Sequence, residues 1–341
     1  MQHAVNKILI IGPSWVGDMV MAQSLFIALK EQNPSVIIDV LALAWTKPLL
    51  DRMPEVNQSI TMPISHGHFA WSMRKELGIQ LREEQYDQSI VLANSWKSAL
   101  IPWFAKIPIR TGWLGEMRYG LLNDFRRLDK QALPLMVQRF VSLAYPAQDA
   151  NKIPKYTAPF MVAKPTAFSQ LPTLNEGQKR LILCPGAEFG AAKQWPSSHY
   201  AELAQSFLEK NWQVLILGSP ADEETGEEIV NHITAEQKLG VSNLCGKTQL
   251  QDAIDLLATA DYVVSNDSGL MHIAAALQKP LIAIYGPTSP KFTPPLSANA
   301  QIIQKEVDCG PCFQRECPEK HHKCMKTIES EQIMQLIKDK D

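Results

Sequence analysis

The chain has 341 residues, of which 45% are hydrophobic and 20% charged, and its formal net charge is -2. This length is too great for one compact core and is typical of two domains, and the composition excludes a disordered chain. The most apolar stretches are interrupted before a membrane span is complete, and the first residues lack the regions of a signal peptide. We therefore expect a cytoplasmic protein.

The two halves of the chain differ in charge. Residues 1–164 carry 18 Lys and Arg against 13 Asp and Glu, whereas residues 165–341 carry 15 against 22. A basic first half suits an anionic partner or surface, although ordinary sampling of surface charge would also produce it. A pI of about 6.5 and the lack of an RNA-binding motif predict that nucleic acid is not a partner.

Short apolar runs alternate with amphipathic helical patterns in both halves. The predicted strands are 7–11, 36–43, 89–93, 179–183, 213–217, 262–265 and 281–285, with helices at 20–32 and 198–210. This alternation is typical of parallel sheets with crossover helices, and its repetition predicts an α/β protein of two Rossmann-like, doubly wound domains. Prolines in 154–174 place the boundary there, giving domains at 1–164 and 175–328. We expect the last segment, 329–341, to form a helix that packs back on the first domain.

Asp18 follows the first predicted strand in the sequence Gly12-Pro-Ser-Trp-Val-Gly-Asp18. The spacing is close to that of a phosphate-binding P-loop, but an aspartate replaces the lysine and would repel a phosphate. At a helix N-terminus this carboxylate is either a plain N-cap or a general base that the helix dipole keeps ionised. The neighbouring glycines and the strand end favour the base.

A glycine-rich loop follows the strand that opens the second half. It includes Gly186, Glu188 and Lys193. Lysine is suited to clamping phosphate, so we predict that Lys193 neutralises a leaving diphosphate and takes the place of a metal. A solvated surface lysine is the alternative.

The sequence from Asn266 to His272 starts a helix where another predicted strand ends. The free backbone N–H groups there predict a diphosphate site; they belong to Ser268, Gly269 and Leu270. Asp267 is suited to accept hydrogen bonds from sugar hydroxyls, and His272 lies one turn further along. A capped core helix would explain Asp267 or Ser268, but not His272.

Two further turns are weaker candidates for nucleotide binding. Asp222 and Glu223 follow a predicted strand and would hold a ribose, and Thr248 lies in a turn that would line a base pocket. Ordinary turn chemistry explains both equally well.

Aromatic and cationic residues are interleaved between Trp96 and Tyr119. Such a surface suits phosphorylated sugars or a membrane interface, and a core with a solvated rim is the alternative. The predicted acceptor-binding residues are Arg74, Lys75, Arg110 and Trp113.

Four of the six cysteines are clustered near the end of the chain, at Cys309, Cys312, Cys317 and Cys324. In a cytosolic chain such clustering favours a metal site or a family-specific element over disulfides. Structural zinc and packed free thiols are the two interpretations that the spacing leaves open.

The candidate groups all follow predicted strands, and ligands of open parallel sheets lie beyond the carboxyl ends of strands. We therefore expect them to face one interdomain cleft. The motifs that contain Asp18, Lys193 and Asp267, together with Tyr285-Gly-Pro-Thr288 and the cysteine cluster, resemble glycosyltransferase family 9, the ADP-heptose:lipopolysaccharide heptosyltransferases. The Asp18 motif and the cysteine cluster are similar to the members that add the second heptose of the inner core.

This resemblance implies a GT-B fold and an inverting transfer that requires no metal cofactor. Asp18 would deprotonate a hydroxyl of the acceptor, a heptosyl-Kdo2-lipid A at the cytoplasmic leaflet of the inner membrane, and ADP-heptose would be the donor. Lys193 and the helix N-terminus would stabilise the diphosphate, and Asp267 would hold the heptose. Ala187 and Glu188 depart from the hydroxyl residues that some relatives carry in this loop.

Three other function classes remain as alternatives. A nucleotide-sugar epimerase shares this architecture but needs more than one acid–base group, and a non-catalytic nucleotide-sugar binder would not need Asp18. A transferase acting at another core position is the third. An NAD oxidoreductase is disfavoured because no G-x-G-x-x-G follows either leading strand.

Overall fold

Strands form the centre of each of two compact units, residues 1–162 and 163–341. The computed structural model describes residues 5–64, 68–164, 168 and 173–338. Each unit has one six-stranded sheet. Pro165 and Pro172 of the predicted boundary segment lie outside the described residues.

The described residues of the first unit form six strands and five α-helices. The strands are β1 Lys7–Ile11, β2 Ile37–Leu43, β3 Gln58–Met62, β4 Gln88–Val91, β5 Ile109–Trp113 and β6 Asp124–Arg126. The helices are α1 Val16–Gln32, α2 Lys47–Leu50, α3 Trp71–Gln80, α4 Leu100–Phe104 and α5 Met136–Val141.

In the part of the second unit that the structure describes, there are six strands and six α-helices. The strands are β7 Arg180–Cys184, β8 Gln213–Ile216, β9 Val241–Asn243, β10 Tyr262–Asn266, β11 Leu281–Tyr285 and β12 Ala300–Gln304. The helices are α6 Ser197–Leu208, α7 Glu223–His232, α8 Leu250–Ala258, α9 Gly269–Ala276, α10 Lys323–Lys326 and α11 Ser330–Lys338. Short 3-10 turns at Trp96–Ala99, Ala191–Lys193 and Pro220–Asp222 lie next to the candidate sites.

Both sheets have the same strand order. Counted from the first strand of each unit, the order is 3-2-1-4-5-6, and all the strand pairs are parallel. Helices cover both faces of such a sheet, which explains why β7, β10 and β11 are buried along their whole length and read as continuous apolar runs. The predicted doubly wound α/β architecture is confirmed for both units.

Helix α1 is buried along most of its length, and two of its polar side chains are satisfied by a later segment of the same unit. The Gln23 amide donates to the carbonyl of Phe160 at 2.6 Å and accepts its N–H at 2.9 Å. Ser24 Oγ donates to the carbonyl of Thr157 at 2.7 Å. Pairing of this kind allows polar groups to be buried without the cost of an unsatisfied hydrogen bond.

The last helix, α11, packs on the core of the second unit. Ile333 and Ile337 of α11 lie one turn apart and belong to the buried core of the second unit with Phe207 of α6. Ser330 Oγ donates to the carboxylate of Glu202 at 2.7 Å. An apolar i, i+4 pair that fits the core of its own unit explains why α11 packs on α6. The predicted residues 339–341 lie outside the described part of the chain.

Among the described helices, none combines the length and the apolar character that crossing a bilayer requires.

Candidate active site

The topological switch point of the first unit lies between β1 and β4, where crossover connections leave in opposite directions. A cavity of about 520 Å³ opens there. Its lining includes Asp18 and the loop after β1, together with Asn94 and Ser95 from the loop after β4. Ligands of open parallel sheets bind at this position, so the cavity is the candidate site of this unit.

Asp18 is the third residue of α1 and is half-buried at the cavity wall. Trp15, rather than Asp18, occupies the N-cap position, and its side chain makes no capping hydrogen bond. The loop after β1 passes close to α1 and β2 at Gly12. A Cβ at this position would lie 2.7 Å from Met19 Cε and 3.2 Å from Ala42 Cβ, so a larger residue would push the loop away. The first turn of a 17-residue helix favours an ionised carboxylate, which is the form that a general base requires.

Three cationic side chains line the same cavity: Arg74, Lys97 and Arg139. Burial of Arg74 lowers the pKa of its guanidinium, but an arginine remains charged at neutral pH. Glu116 is a second carboxylate of the lining, and it accepts the N–H of Trp96 at 2.9 Å. The cavity therefore combines one candidate base with several positive charges, an arrangement suited to an anionic hydroxyl-bearing ligand.

Arg118 is fully buried and joins the loops that follow β4 and β5. Its guanidinium donates to the carbonyl of Ala93 at 2.7 Å, to Asn94 Oδ1 at 3.3 Å and to the carbonyl of Trp113. Desolvation lowers the pKa of Arg118 to about 10, although Glu116 opposes the shift. This side chain supports the cavity wall from behind.

The predicted acceptor-binding residues divide into two pairs. Arg74 and Trp113 line the cavity. Lys75 is exposed on α3 and Arg110 donates to the carbonyls of Leu121 and Ile107, and neither contributes to the lining. Lys97 belongs to the interleaved stretch identified from the sequence, whereas sequence reasoning did not single out Asn94, Glu116 or Arg139 of the lining. Asn94 follows a predicted strand, so the rule that selected Asp18 would also have found it.

In the second unit, Lys193 and Asp267 form a largely buried ion pair at the corresponding switch point, between β7 and β10. Lys193 Nζ lies 2.7 Å from Asp267 Oδ2, and the side chains are 12% and 5% exposed. Thr288 Oγ1 donates to the same carboxylate oxygen at 2.6 Å. Lys193 also lies 4.9 Å from the ring centroid of Phe189. Lys193, the predicted phosphate clamp, and Asp267, predicted to accept hydrogen bonds from sugar hydroxyls, are therefore direct partners.

Helix α9 begins at this pair, as predicted. Ser268 is its N-cap, and Ser268 Oγ accepts the N–H of Met271 at 3.4 Å. Gly269 and Leu270 form the first turn and are only partly buried, so this helix end can accommodate an anion. Asn266 fixes the loop before it, because its amide donates to the carbonyl of Pro185 at 2.6 Å and accepts from Tyr200 Oη at 3.0 Å.

His272 is buried in α9. Desolvation lowers the pKa of His272 to about 4, while Asp267 raises it and Lys193 lowers it. The imidazole is therefore neutral at pH 7. A neutral ring next to the ion pair can donate one hydrogen bond and accept another, but it adds no positive charge for a diphosphate.

The remaining predicted nucleotide contacts lie in the segments that follow β7, β8 and β9. Asp222 Oδ2 accepts hydrogen bonds from Ser219 N at 2.8 Å and Ser219 Oγ at 2.7 Å. A Cβ at Gly186 would lie 2.4 Å from that carboxylate, so this glycine allows the two turns to meet. Glu223 and Glu188 are exposed and Thr248 is half-buried. These positions leave the predicted roles of Glu223, Glu188 and Thr248 open.

The cysteine cluster has no metal-binding geometry among the described residues, where no group of three or more His, Cys, Asp and Glu side chains is arranged for an ion. All six cysteines are free thiols, and Cys324 is buried. Burial, and then Cys309, Cys312 and Cys317, raise the pKa of Cys324. Cys309 is exposed, and Cys312 and Cys317 are half-buried.

A family model, glycosyltransferase family 9 (heptosyltransferase), matches residues 74–323. The chain belongs to glycosyltransferase family 9. It is 52% identical to lipooligosaccharide heptosyltransferase 2 of Haemophilus influenzae in an alignment of 312 positions that covers 87% of this chain and 88% of the relative. It is 48% identical to lipopolysaccharide heptosyltransferase 2 of Salmonella typhimurium in an alignment of 348 positions, gaps included, that covers 97% of each chain.

A solved family 9 structure has the same fold. The E. coli ADP-heptose lps heptosyltransferase II is 46% identical, with a TM-score of 0.82 over 98% of this chain and 99% of the other. The predicted GT-B fold and family resemblance are thus confirmed. As a member of family 9, this chain is a glycosyltransferase that transfers a heptosyl group.

Proposed function

We propose that this chain transfers L-glycero-D-manno-heptose from ADP-heptose onto the first heptose of the lipopolysaccharide inner core. The observation that carries the proposal is the similarity to lipopolysaccharide heptosyltransferase 2, which is 48% identical over 97% of both chains. The acceptor is then a heptosyl-Kdo2-lipid A and the product carries two heptoses. The cavity of the first unit, with its cations and its candidate base, is suited to the anionic sugar part of this acceptor.

Asp18 is the proposed general base. Its carboxylate takes the proton of the acceptor hydroxyl as that oxygen forms a bond to the anomeric carbon of the donor. The bond from the anomeric carbon to the diphosphate oxygen breaks, ADP leaves with the electron pair, and the configuration inverts. Asp18 supports this role because it lies half-buried in the cavity wall, in the first turn of a long helix that keeps it ionised.

Lys193 is the proposed electrostatic partner of the leaving diphosphate. Its ammonium group, together with the N–H groups at the start of α9, offers positive potential where negative charge develops. In the described structure Asp267 balances that charge at 2.7 Å. Asp267 then keeps Lys193 in place and presents its remaining lone pairs to the heptose hydroxyls. Asp222, Glu223 and Thr248 remain the proposed contacts of the ribose and the adenine.

Because lysine and a helix N-terminus supply the positive potential, we propose that transfer needs no divalent cofactor. Full turnover after treatment with a chelator is the expected result, and loss of turnover that Mg²⁺ restores would contradict it. The acceptor is a glycolipid, so the enzyme is also proposed to work in the cytoplasm, in peripheral contact with the inner membrane.

The acceptor specificity tests the proposal. Purified enzyme is incubated with ADP-heptose and with core acceptors that carry either no heptose or one heptose, and the products are read by mass spectrometry. We expect one added heptose on the second acceptor and none on the first. Transfer to the heptose-free acceptor alone would show action at another core position, and altered donor without any acceptor would indicate an epimerase.

A further inference from the structure

A chain of five aromatic rings crosses one surface of the first unit, outside the cavity. The rings contact one another in the order Trp96, Phe69, Trp71, Phe104 and Trp103, with centroid distances from 4.9 to 5.9 Å. Phe104 is buried, whereas the other four are each 40–47% exposed. We call these five residues the aromatic ridge. Exposed aromatic area of this extent, in contact ring by ring, is unusual on a protein surface that faces only water.

The ridge is held together by the close crossing of α3 and α4. A Cβ at Gly78 would lie 2.5 Å from Phe104 Cβ and 2.8 Å from the carbonyl of Ile101. The absence of a side chain at Gly78 therefore lets the two helices approach, which places Trp71 of α3 against the side chain of Phe104, beside Trp103. Arg82 donates to the carbonyl of Phe104 at 2.9 Å and fixes the end of α4.

Cationic side chains border the rings. Lys75 lies one turn after Trp71 on the same face of α3, and Lys106 lies two residues after Phe104. Lys75 and Lys106 are exposed. The exposed Glu76 lies about 140° around α3 from Trp71, away from this face. Tryptophan rings bordered by lysines are the combination that binds at the boundary between lipid headgroups and acyl chains.

The ridge is coupled to the active-site cavity through Arg74. Arg74 lines the cavity and donates to the carbonyl of Phe69 at 2.6 Å and to that of Lys97 at 3.1 Å. These two carbonyls belong to the segments that carry Phe69 and Trp96. A surface on which the ridge rests would therefore lie next to the cavity that receives the acceptor.

We propose that the aromatic ridge, with its bordering lysines, binds the surface of a membrane that contains anionic lipids. The inference rests on the proposed function insofar as the acceptor is lipid-linked. The rings enter the interfacial region, the lysines bind lipid phosphates, and the cavity is held at the depth at which the sugars of the acceptor leave the bilayer.

Vesicle flotation tests whether the aromatic ridge binds membranes. Wild-type protein is mixed with vesicles of phosphatidylethanolamine and phosphatidylglycerol and, separately, with phosphatidylcholine alone. We expect wild-type protein to bind the anionic vesicles. In the variant carrying Trp71→Ser and Trp103→Ser, the affinity for these vesicles should fall about tenfold or more, because two rings that enter the membrane interface are removed. The matched control is Phe313→Ser, which removes an equally exposed aromatic ring of the second unit and should bind as the wild type does.

A charge variant keeps the test decisive if the double variant fails to fold. Lys106 is exposed and is not one of the five residues of the aromatic ridge. Lys106→Glu should therefore fold normally and bind anionic vesicles several-fold more weakly, with the defect enlarged at low salt. Undiminished binding by both ridge variants would overturn the proposal, as would an equal loss in Phe313→Ser.

Two activity assays separate this inference from the proposed function. With a deacylated, water-soluble acceptor, the ridge variants should transfer heptose at the wild-type rate, whereas with acceptor embedded in vesicles their rate should fall in parallel with binding. No transfer by wild-type enzyme to either acceptor would contradict the proposed function instead. If sedimentation velocity shows a wild-type dimer that the ridge substitutions dissociate, the ridge is an interface between two copies and the membrane proposal is wrong.

Discussion

The two sheets share one strand order, yet their switch points carry opposite kinds of chemistry. In the first unit, β1 and β4 lead to an open cavity whose wall holds a candidate base and several cations. In the second unit, β7 and β10 lead to Lys193 and Asp267, which are largely buried and already paired. A doubly wound sheet thus supplies a position for a site, and the loop sequences after the first and fourth strands decide which chemistry is placed there.

The first helical turn after the fourth strand also differs between the two units. Ser95 is the N-cap of the turn that follows β4, as Ser268 is the N-cap of the helix that follows β10. In the second unit this position begins α9 and offers a helix N-terminus, whereas in the first unit it begins a short 3-10 turn. A full helix end binds anions better than a short turn, because the aligned peptide dipoles and free N–H groups point in one direction. This difference supports an anionic donor in the second unit.

Asp18 is the group whose removal should have the largest effect. Asp18→Asn keeps the shape of the side chain but cannot accept a proton, so we expect turnover to fall by about 100- to 10,000-fold. The affinity for ADP, measured by calorimetry, should stay unchanged, because the proposed nucleotide site lies in the other unit. The control Asp51→Asn removes an exposed carboxylate of the same unit. Wild-type turnover in Asp18→Asn would contradict the assignment of the base.

Substitution of Lys193 tests whether the ion pair of the second unit lies in the diphosphate site. We expect Lys193→Ala to weaken ADP binding about 10- to 100-fold, since one charge-assisted contact is lost. The substitution also leaves Asp267 buried without its cation, which should lower the free energy of unfolding by about 3 kcal/mol. Calorimetry and urea unfolding measure the two effects. Lys193→Arg, which restores the charge, should recover most of the stability, and an unchanged affinity for ADP in Lys193→Ala would remove this residue from the site.

The lowered pKa of His272 predicts how the stability of the second unit depends on pH. Its pKa of about 4 in the folded state lies below the ordinary value of 6.5, so below pH 6.5 the unfolded chain binds a proton that the folded chain does not. Stability is therefore unaffected above pH 6.5 and declines as the pH falls towards 4. The loss amounts to about 2 kcal/mol between pH 6.5 and pH 5.

Urea unfolding at several pH values measures this slope. His272→Gln should have a flatter dependence than the wild type, whatever its stability at pH 7. His232→Gln, which replaces an exposed histidine of α7, should keep the wild-type slope. Equal slopes in all three proteins would show that His272 is not held neutral by burial.

The smallest expected effect comes from replacing an arginine of the cavity lining, compared with an arginine outside it. Arg139 lines the cavity, whereas Arg110 lies outside the lining and donates to the carbonyls of Leu121 and Ile107. If cavity cations bind the anionic acceptor, Arg139→Gln should raise the KM for acceptor about tenfold, the equivalent of about 1.4 kcal/mol. Arg110→Gln should change it less. A larger effect at Arg110 would restore the sequence-based assignment of that residue to acceptor binding.

Much of the fold followed from sequence because its signals are local. The strands at β1 and β11 were predicted with the observed bounds, and Ser268 was placed correctly at the start of α9. Burial on both faces of a parallel sheet leaves a continuous apolar run, and a helix start leaves a capping residue, so both can be recognised in a short window. The direction in which α11 packs has no such signal, since its apolar face fits any core of suitable shape.

The sequence by itself determined the repeated α/β pattern, the positions of Asp18, Lys193 and Asp267 after strands, and the resemblance to family 9. Only the tertiary structure decided that Lys193 and Asp267 are partners, that Arg139 rather than Arg110 lines the cavity, and that the exposed rings form one ridge. The physical reason is distance along the chain. A motif depends on neighbours within a turn or a strand, whereas a pair 74 residues apart depends on how whole elements pack.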